Sequence, residues 1–78
     1  MRMRFNKAEK AAFTPGADVE VRNGRFWYPA IVTSPVETTD TFQQVMCRIT
    51  GTVGRQGTVR TGDVWTGTPT TVRVPTGE

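Results

Sequence analysis

The chain has no histidine and no leucine, and it carries one cysteine (Cys47) and one serine (Ser34). Without histidine, neither a Ser–His–Asp arrangement nor a Cys–His pair can be assembled, and zinc sites of the usual Cys/His spacing are closed as well. Without leucine, coiled coils and helix bundles lose their main core residue. A lone cysteine leaves no internal disulfide, which fits a reducing cytoplasm. Long apolar runs are also missing. The longest, residues 26–32, falls far short of the ~20 residues that span a bilayer. The basic start, Met1-Arg2-Met3-Arg4-Phe5, is followed by no apolar stretch of signal-peptide length. These absences point away from enzyme, cofactor, metal and membrane, and toward binding.

What is present is β-branched. The 78 residues include 14 Thr, 10 Val and 2 Ile, a third of the chain. This length suits one small domain. At such a size a core is marginal, since even a 60-residue domain buries only ~60% of its unfolded-chain surface. A closed barrel or a partner chain helps by removing open strand edges.

Charge divides the chain sharply. The formal net charge is +3. Residues 1–10 hold Arg2, Arg4, Lys7 and Lys10 against Glu9, whereas residues 11–78 hold six basic and six acidic side chains. The whole excess therefore lies in a basic N-terminal arm, residues 1–14. Within it Asn6 and Glu9 stand at capping-box spacing around a short helix over 7–12. So short a helix is marginal alone, and the arm is expected to be only partly ordered. Residues 15–74 are assigned to a β-barrel and 75–78 to a tail.

From Ala17 onward the pattern is β. Val19 and Val21 alternate with Asp18, Glu20 and Arg22, as in a half-buried strand. Asn23-Gly24 is a strong hairpin signal of the type I′ kind. The returning strand runs over 26–34, and Pro29 requires a bulge or an edge position there. A polar loop, 35–40, leads to a third strand over 41–50 with Val45, Cys47 and Ile49 on one face. Cys47 is expected to be a buried small apolar residue. A Gly-rich turn, Gly51 to Gly57, feeds a fourth strand near 58–60, then a tight turn at 61–63 that places Val64 and Trp65. Residues 70–74 close the fold. Phe42 and Trp65 are expected to cover the core, with Tyr28 a further candidate; two of Phe26, Trp27 and Tyr28 are expected to be structural, and an exposed one marks an interface. The fold class is all-β, a small, strongly bent five-stranded barrel.

Val-Glu-Val at 19–21, Asn23-Gly24 and Trp-Tyr-Pro-Ala-Ile-Val at 27–32 resemble the opening of a Tudor or plant Agenet domain, an SH3-like barrel. Val45-x-Cys-x-Ile-Thr-Gly51 and Asp63-Val64 are similar to that family's third strand, turn and closing element, so the resemblance spans about residues 17–65. It implies an aromatic cage for a methylated cation. Tyr28 matches one cage wall. The two walls usually found around the third strand are absent, with Ile49 and Thr52 in their place, so the cage is incomplete. The composition, rich in Thr, Val, Gly and Arg, also suits a phage or bacterial protein.

On such a barrel the first hairpin and the loop after the third strand meet at one end. That gathers Arg22, Arg25, Arg55 and Arg60 at a basic tip, with Glu37 and Asp40 at the opposite end. Arginine's planar fork suits phosphate, and Trp27 or Tyr28 beside it could stack on a base. The first expectation is a binding module for an anionic surface, with nucleic acid as partner. The alternative is a protein-binding adaptor or regulator, of phage or mobile-element origin, that uses exposed aromatics or an edge strand, including homodimerisation through that edge. Plasmid-type dihydrofolate reductases show that a barrel of this size can catalyse, but their Val-Gln-Ile-Tyr strand is absent here. No cofactor is expected.

Overall fold

The alternation read along the sequence becomes an antiparallel sheet, seen in a computed structural model that describes residues 4–52 and 59–75. Its elements are α1 (Lys7–Ala12), β1 (Asp18–Asn23), β2 (Phe26–Val32), β3 (Glu37–Thr38), β4 (Gln43–Ile49), β5 (Val64–Gly67) and β6 (Val72–Arg73). β1 pairs β2, β2 pairs β4, β4 pairs β5, and β6 returns to pair β1. The two residues of β3, in the expected polar loop, resume pairing with β4 after β2 has ended. The outcome is a small all-β, barrel-like fold, a five-strand path curled into a half-barrel. Inward alternation sends Val19, Val21, Tyr28, Ala30, Val32, Val45, Cys47, Ile49 and Val72 into one core.

The first hairpin turns one residue later than the Asn-Gly signal implies. Asn23 stays in the ladder opposite Phe26, which leaves Gly24-Arg25 as the loop. Gly24 has a φ of +66°, and no non-glycine residue described has a positive φ. Positive φ at the first central position alone is the type II′ pattern. Arg25 therefore sits at the apex.

Pro29 neither bulges nor lies on an edge strand. It pairs with Glu20 on the central strand β2. Its carbonyl accepts from Thr50 N at 2.9 Å, just beyond the last β2–β4 pair, Ala30 with Ile49. The missing N–H thus falls where the ladder ends, and it costs only the reciprocal bond to Thr50 at that end.

The strand that follows β4 is β5, over Val64–Gly67; of the strand expected near 58–60, Val59 and Arg60 lie outside any strand and Thr58 lies outside the described residues. Ile49 N donates to Asp63 O at 2.8 Å and Gly62 N to Ile49 O at 2.7 Å, so this edge of β4 is taken up by the turn before β5 begins. Asp63 Oδ2 accepts from Arg60 N at 3.0 Å and holds that turn. Val59 fills the core from outside the strands. Phe42 is exposed as well, contrary to the core role expected of it. The Thr39 hydroxyl bonds both Phe42 N and Phe42 O and fixes this residue in the turn before β4, while its neighbour Gln43 is the one buried. Trp65 and Phe26 pack against the core edge.

The N-terminal segment is bound to the barrel more firmly than its composition implies. The capping box forms, with Glu9 N donating to Asn6 Oδ1 at 2.8 Å and Asn6 N to Glu9 Oε1 at 2.9 Å. α1 itself buries no side chain, but Phe5 and Phe13 on either side of it are core residues. Their rings meet edge-on at 5.2 Å. Phe5 N donates to the buried Gln43 Oε1 at 2.8 Å, and Gln43 Nε2 donates to Thr38 Oγ1. Two aromatic anchors supply the ordering that six helical residues cannot.

Candidate functional site

β-Sheet parity decides which sequence-marked residues reach solvent. On the outer face stand Asp18, Glu20 and Arg22 of β1, Trp27, Pro29 and Ile31 of β2, and Arg48 of β4, with Arg73 of β6 and Val64 of β5 at its sides. Arg22 pairs across the ladder with Trp27, Glu20 with both Pro29 and Arg73, and Arg48 with both Ile31 and Val64.

Arg22 and Arg25 are exposed at the β1–β2 hairpin, and Arg60 is exposed in the turn that follows β4 beside Ile49, where β4, antiparallel to β2, heads toward the hairpin end and Asp63 shares the turn. Glu37 and Asp40 are at the other end, where Glu37 pairs with Gln44. Arg55 and most of the Gly-rich turn lie outside the described residues. Tyr28 is the marked residue that the fold takes away. Directly after the outward Trp27, it must face inward, and it is wholly buried. It can be neither a cage wall at the surface nor a stacking platform. Its hydroxyl has no hydrogen-bond partner among the described residues.

Around Trp27 the structure adds residues that sequence reasoning missed. The Arg73 guanidinium lies over the indole, 3.9 Å from the ring centroid, and Arg22 lies at 5.9 Å. Arg73 Nε donates to Glu20 Oε1 at 2.7 Å. Cation–π contacts at such exposed places are worth about 0.5–1 kcal/mol, and an ion pair this accessible adds ~0–1 kcal/mol. The arrangement therefore matters more for orientation than for stability. Arg22, Arg25, Arg48 and Arg60 form no ion pair among the described residues. The signal for Arg73 was its parity: it follows the inward Val72 in the closing strand, and a closing strand returns to the first.

Cys47 is buried, and burial pushes its thiol up from 9.0 to about 11. The neutral thiol is a poor nucleophile, so no labelling by iodoacetamide at pH 8 is expected until denaturant unfolds the chain. Because the folded value is raised, the stability contributed by the neutral thiol is complete below pH 9 and lost toward pH 11. Two pH units correspond to about 2–3 kcal/mol. Urea unfolding of wild type and Cys47→Ala over that range should show a fall that is steeper in wild type. Parallel pH profiles would contradict this.

Elsewhere, an open hollow of about 350 Å³ is lined by Ser34, Pro35, Val36, Glu37 and Met46; its one charged side chain, Glu37, accepts from Gln44 Nε2 at 2.8 Å, and no cation lines it. Among the described residues there is no group of three His, Cys, Asp or Glu placed to hold a metal, and no helix long and apolar enough to cross a membrane. What fold and face define together is a small β-sheet module that displays arginine around one tryptophan. No protein-family model, no curated protein and no solved structure matches this chain.

Proposed function

We propose that this chain is a non-enzymatic binding module, a Tudor-like barrel, that recognises an anionic surface, nucleic-acid phosphate above all. The observation that carries this reading is the placement of charge: Arg22, Arg25 and Arg60 against the single carboxylate of Asp63 toward one end, Glu37 and Asp40 at the other. An otherwise neutral barrel acquires a cationic end by arrangement alone, and guanidinium forks suit phosphate oxygens. The basic segment at residues 1–10 adds attraction that is independent of sequence. Methyl-mark reading is not part of the proposal, because the one matching cage residue, Tyr28, is in the core. A cytoplasmic setting is proposed from the lone buried thiol.

The test is a titration of labelled duplex by anisotropy at several salt concentrations. Binding should weaken by roughly 0.9 log units per neutralised phosphate for each decade of salt. Arg25→Ala and Arg60→Ala should each reduce that slope by about 1. A slope unaffected by both replacements would end the proposal.

A second reading has its own observation. β5 and β6 each pair with one strand among the described residues, and Val64 on β5 is 59% exposed. A partner protein, or a second copy, could add a strand there without any charge. Salt-resistant self-association in sedimentation runs, abolished by Thr66→Pro, would favour it.

A further inference from the structure

The outer face holds more than the three exposed arginines at one end need. Arg73 is held in place on two sides: its guanidinium lies over Trp27 at 3.9 Å and its Nε is engaged by Glu20 at 2.7 Å. That leaves one face of the guanidinium plane and the Nη fork unused by these two contacts, on a side chain that is 38% exposed. A guanidinium fixed before binding gives up less freedom when a ligand arrives. Arg22 stands over the same ring, so two cations share one platform while the nearby carboxylate, Glu20, is committed to Arg73. Along β2 from Trp27 come the exposed Pro29 and the half-buried Ile31, and Ile31 is flanked by the exposed Arg48 on β4 and, on its other side, by the exposed Asp18 on β1, so a strand following the cations runs on the β4 side. Trp27 to Ile31 spans four residues, or about 13 Å of strand. The face therefore reads as a cationic station with a planar surface, an apolar step, and a second cationic station.

A duplex uses only the charges of such a face, because its bases are stacked inside and its edges are read from grooves. A single strand can use all of it. Its phosphates meet the arginines and its unpaired bases find planar and apolar surface, both aromatic rings and arginine planes being stacking partners for them. We infer that the outer face along β2 is a track for single-stranded nucleic acid, with an unpaired base stacked on the Arg73 plane that Trp27 backs, and phosphates on Arg22 and Arg48. This deepens the nucleic-acid reading above and rests on it. It also adds Arg73, Arg48 and Glu20 to the working residues.

The experiment uses the full chain with three labelled probes of equal phosphate count: oligo(dT) of about 12 nucleotides, an abasic strand of the same length, and a duplex. Oligo(dT) should bind about tenfold more tightly than the abasic strand or the duplex at equal salt, the gain of a stacked base. Arg73→Lys keeps the charge and removes the plane. It should cost oligo(dT) about fivefold or more, leave the abasic strand unchanged, and preserve the circular dichroism spectrum and melting temperature. Arg48→Ala should lower the salt slope on oligo(dT) by roughly 0.7. Equal affinity for oligo(dT) and duplex, or an Arg73→Lys variant that binds oligo(dT) as wild type does, would overturn the track and leave the broader anionic reading standing. Failure to bind any of the three probes would overturn both and turn attention to a protein partner.

Discussion

Phe13→Ala should leave most of the chain unfolded at physiological temperature. Phe13 is 1% exposed, it meets Phe5 edge-on, and it belongs to the same core as the strands. Truncating a buried phenylalanine costs about 3–5 kcal/mol, partly for the cavity it leaves. Domains have only about 5–15 kcal/mol in total, and one this small should lie at the lower end. The measurement is urea unfolding followed by tryptophan fluorescence. The midpoint should fall by half or more, or the native baseline should vanish. Lys10→Ala, on the exposed side of α1, is the control and should change stability by no more than about 0.5 kcal/mol. If the first fourteen residues were a detachable charged arm, both variants would melt alike.

Gly67→Ala should be nearly as damaging, although it adds a single methyl group. A Cβ at residue 67 would stand 2.7 Å from Val72 Cβ and 3.0 Å from its Cγ1. Val72 cannot step aside easily: it is buried, it is paired with Val21, and β-branching restricts its χ1. Overpacking of this kind costs about 1–3 kcal/mol, here at the place where β5 gives way to β6. The turn between them has no slack. Thr71 N and Val72 N both donate to Thr68 O, and Thr68 N donates to Thr71 Oγ1 at 2.8 Å. The decisive measurement is the double variant Gly67→Ala/Val72→Ala. If the clash is the mechanism, Val72→Ala is less harmful when Gly67→Ala is already present than it is alone, with a coupling of about 1 kcal/mol or more. Strict additivity would mean that Gly67 is required for some other reason.

Much of the barrel was legible because period-two alternation is a direct physical consequence of the pleat. Val19 and Val21, and Val45, Cys47 and Ile49, could face only one way. The same rule separated Trp27 from Tyr28. It was the resemblance to a caged family that lent Tyr28 a surface role its parity denies. The fourth strand was misplaced because Thr58-Val59-Arg60 has strand-like composition, whereas the position of β5 is set by long-range bonds from Ile49 to Asp63 and Gly62. Local preference carries no information about those bonds. The anchoring of the N-terminal segment was hidden for a related reason. Two phenylalanines eight residues apart on a charged stretch show no periodicity, and only the tertiary fold gives them a common destination. At the candidate site, the hairpin arginines were visible as a cluster in sequence. Arg73 was not, since it reaches Trp27 across two strand pairings, from β6 to β1 and from β1 to β2.

The pairing of Glu20 and Val21 with Arg73 and Val72 has a consequence for biosynthesis. The first strand made waits beside its hairpin partner for the last one, with residues 24–71, 48 in all, between them. A chain that stops before Val72 lacks one wall of the core and leaves the β1 edge bare. A copy truncated before Val72 should therefore show no cooperative unfolding transition of its own.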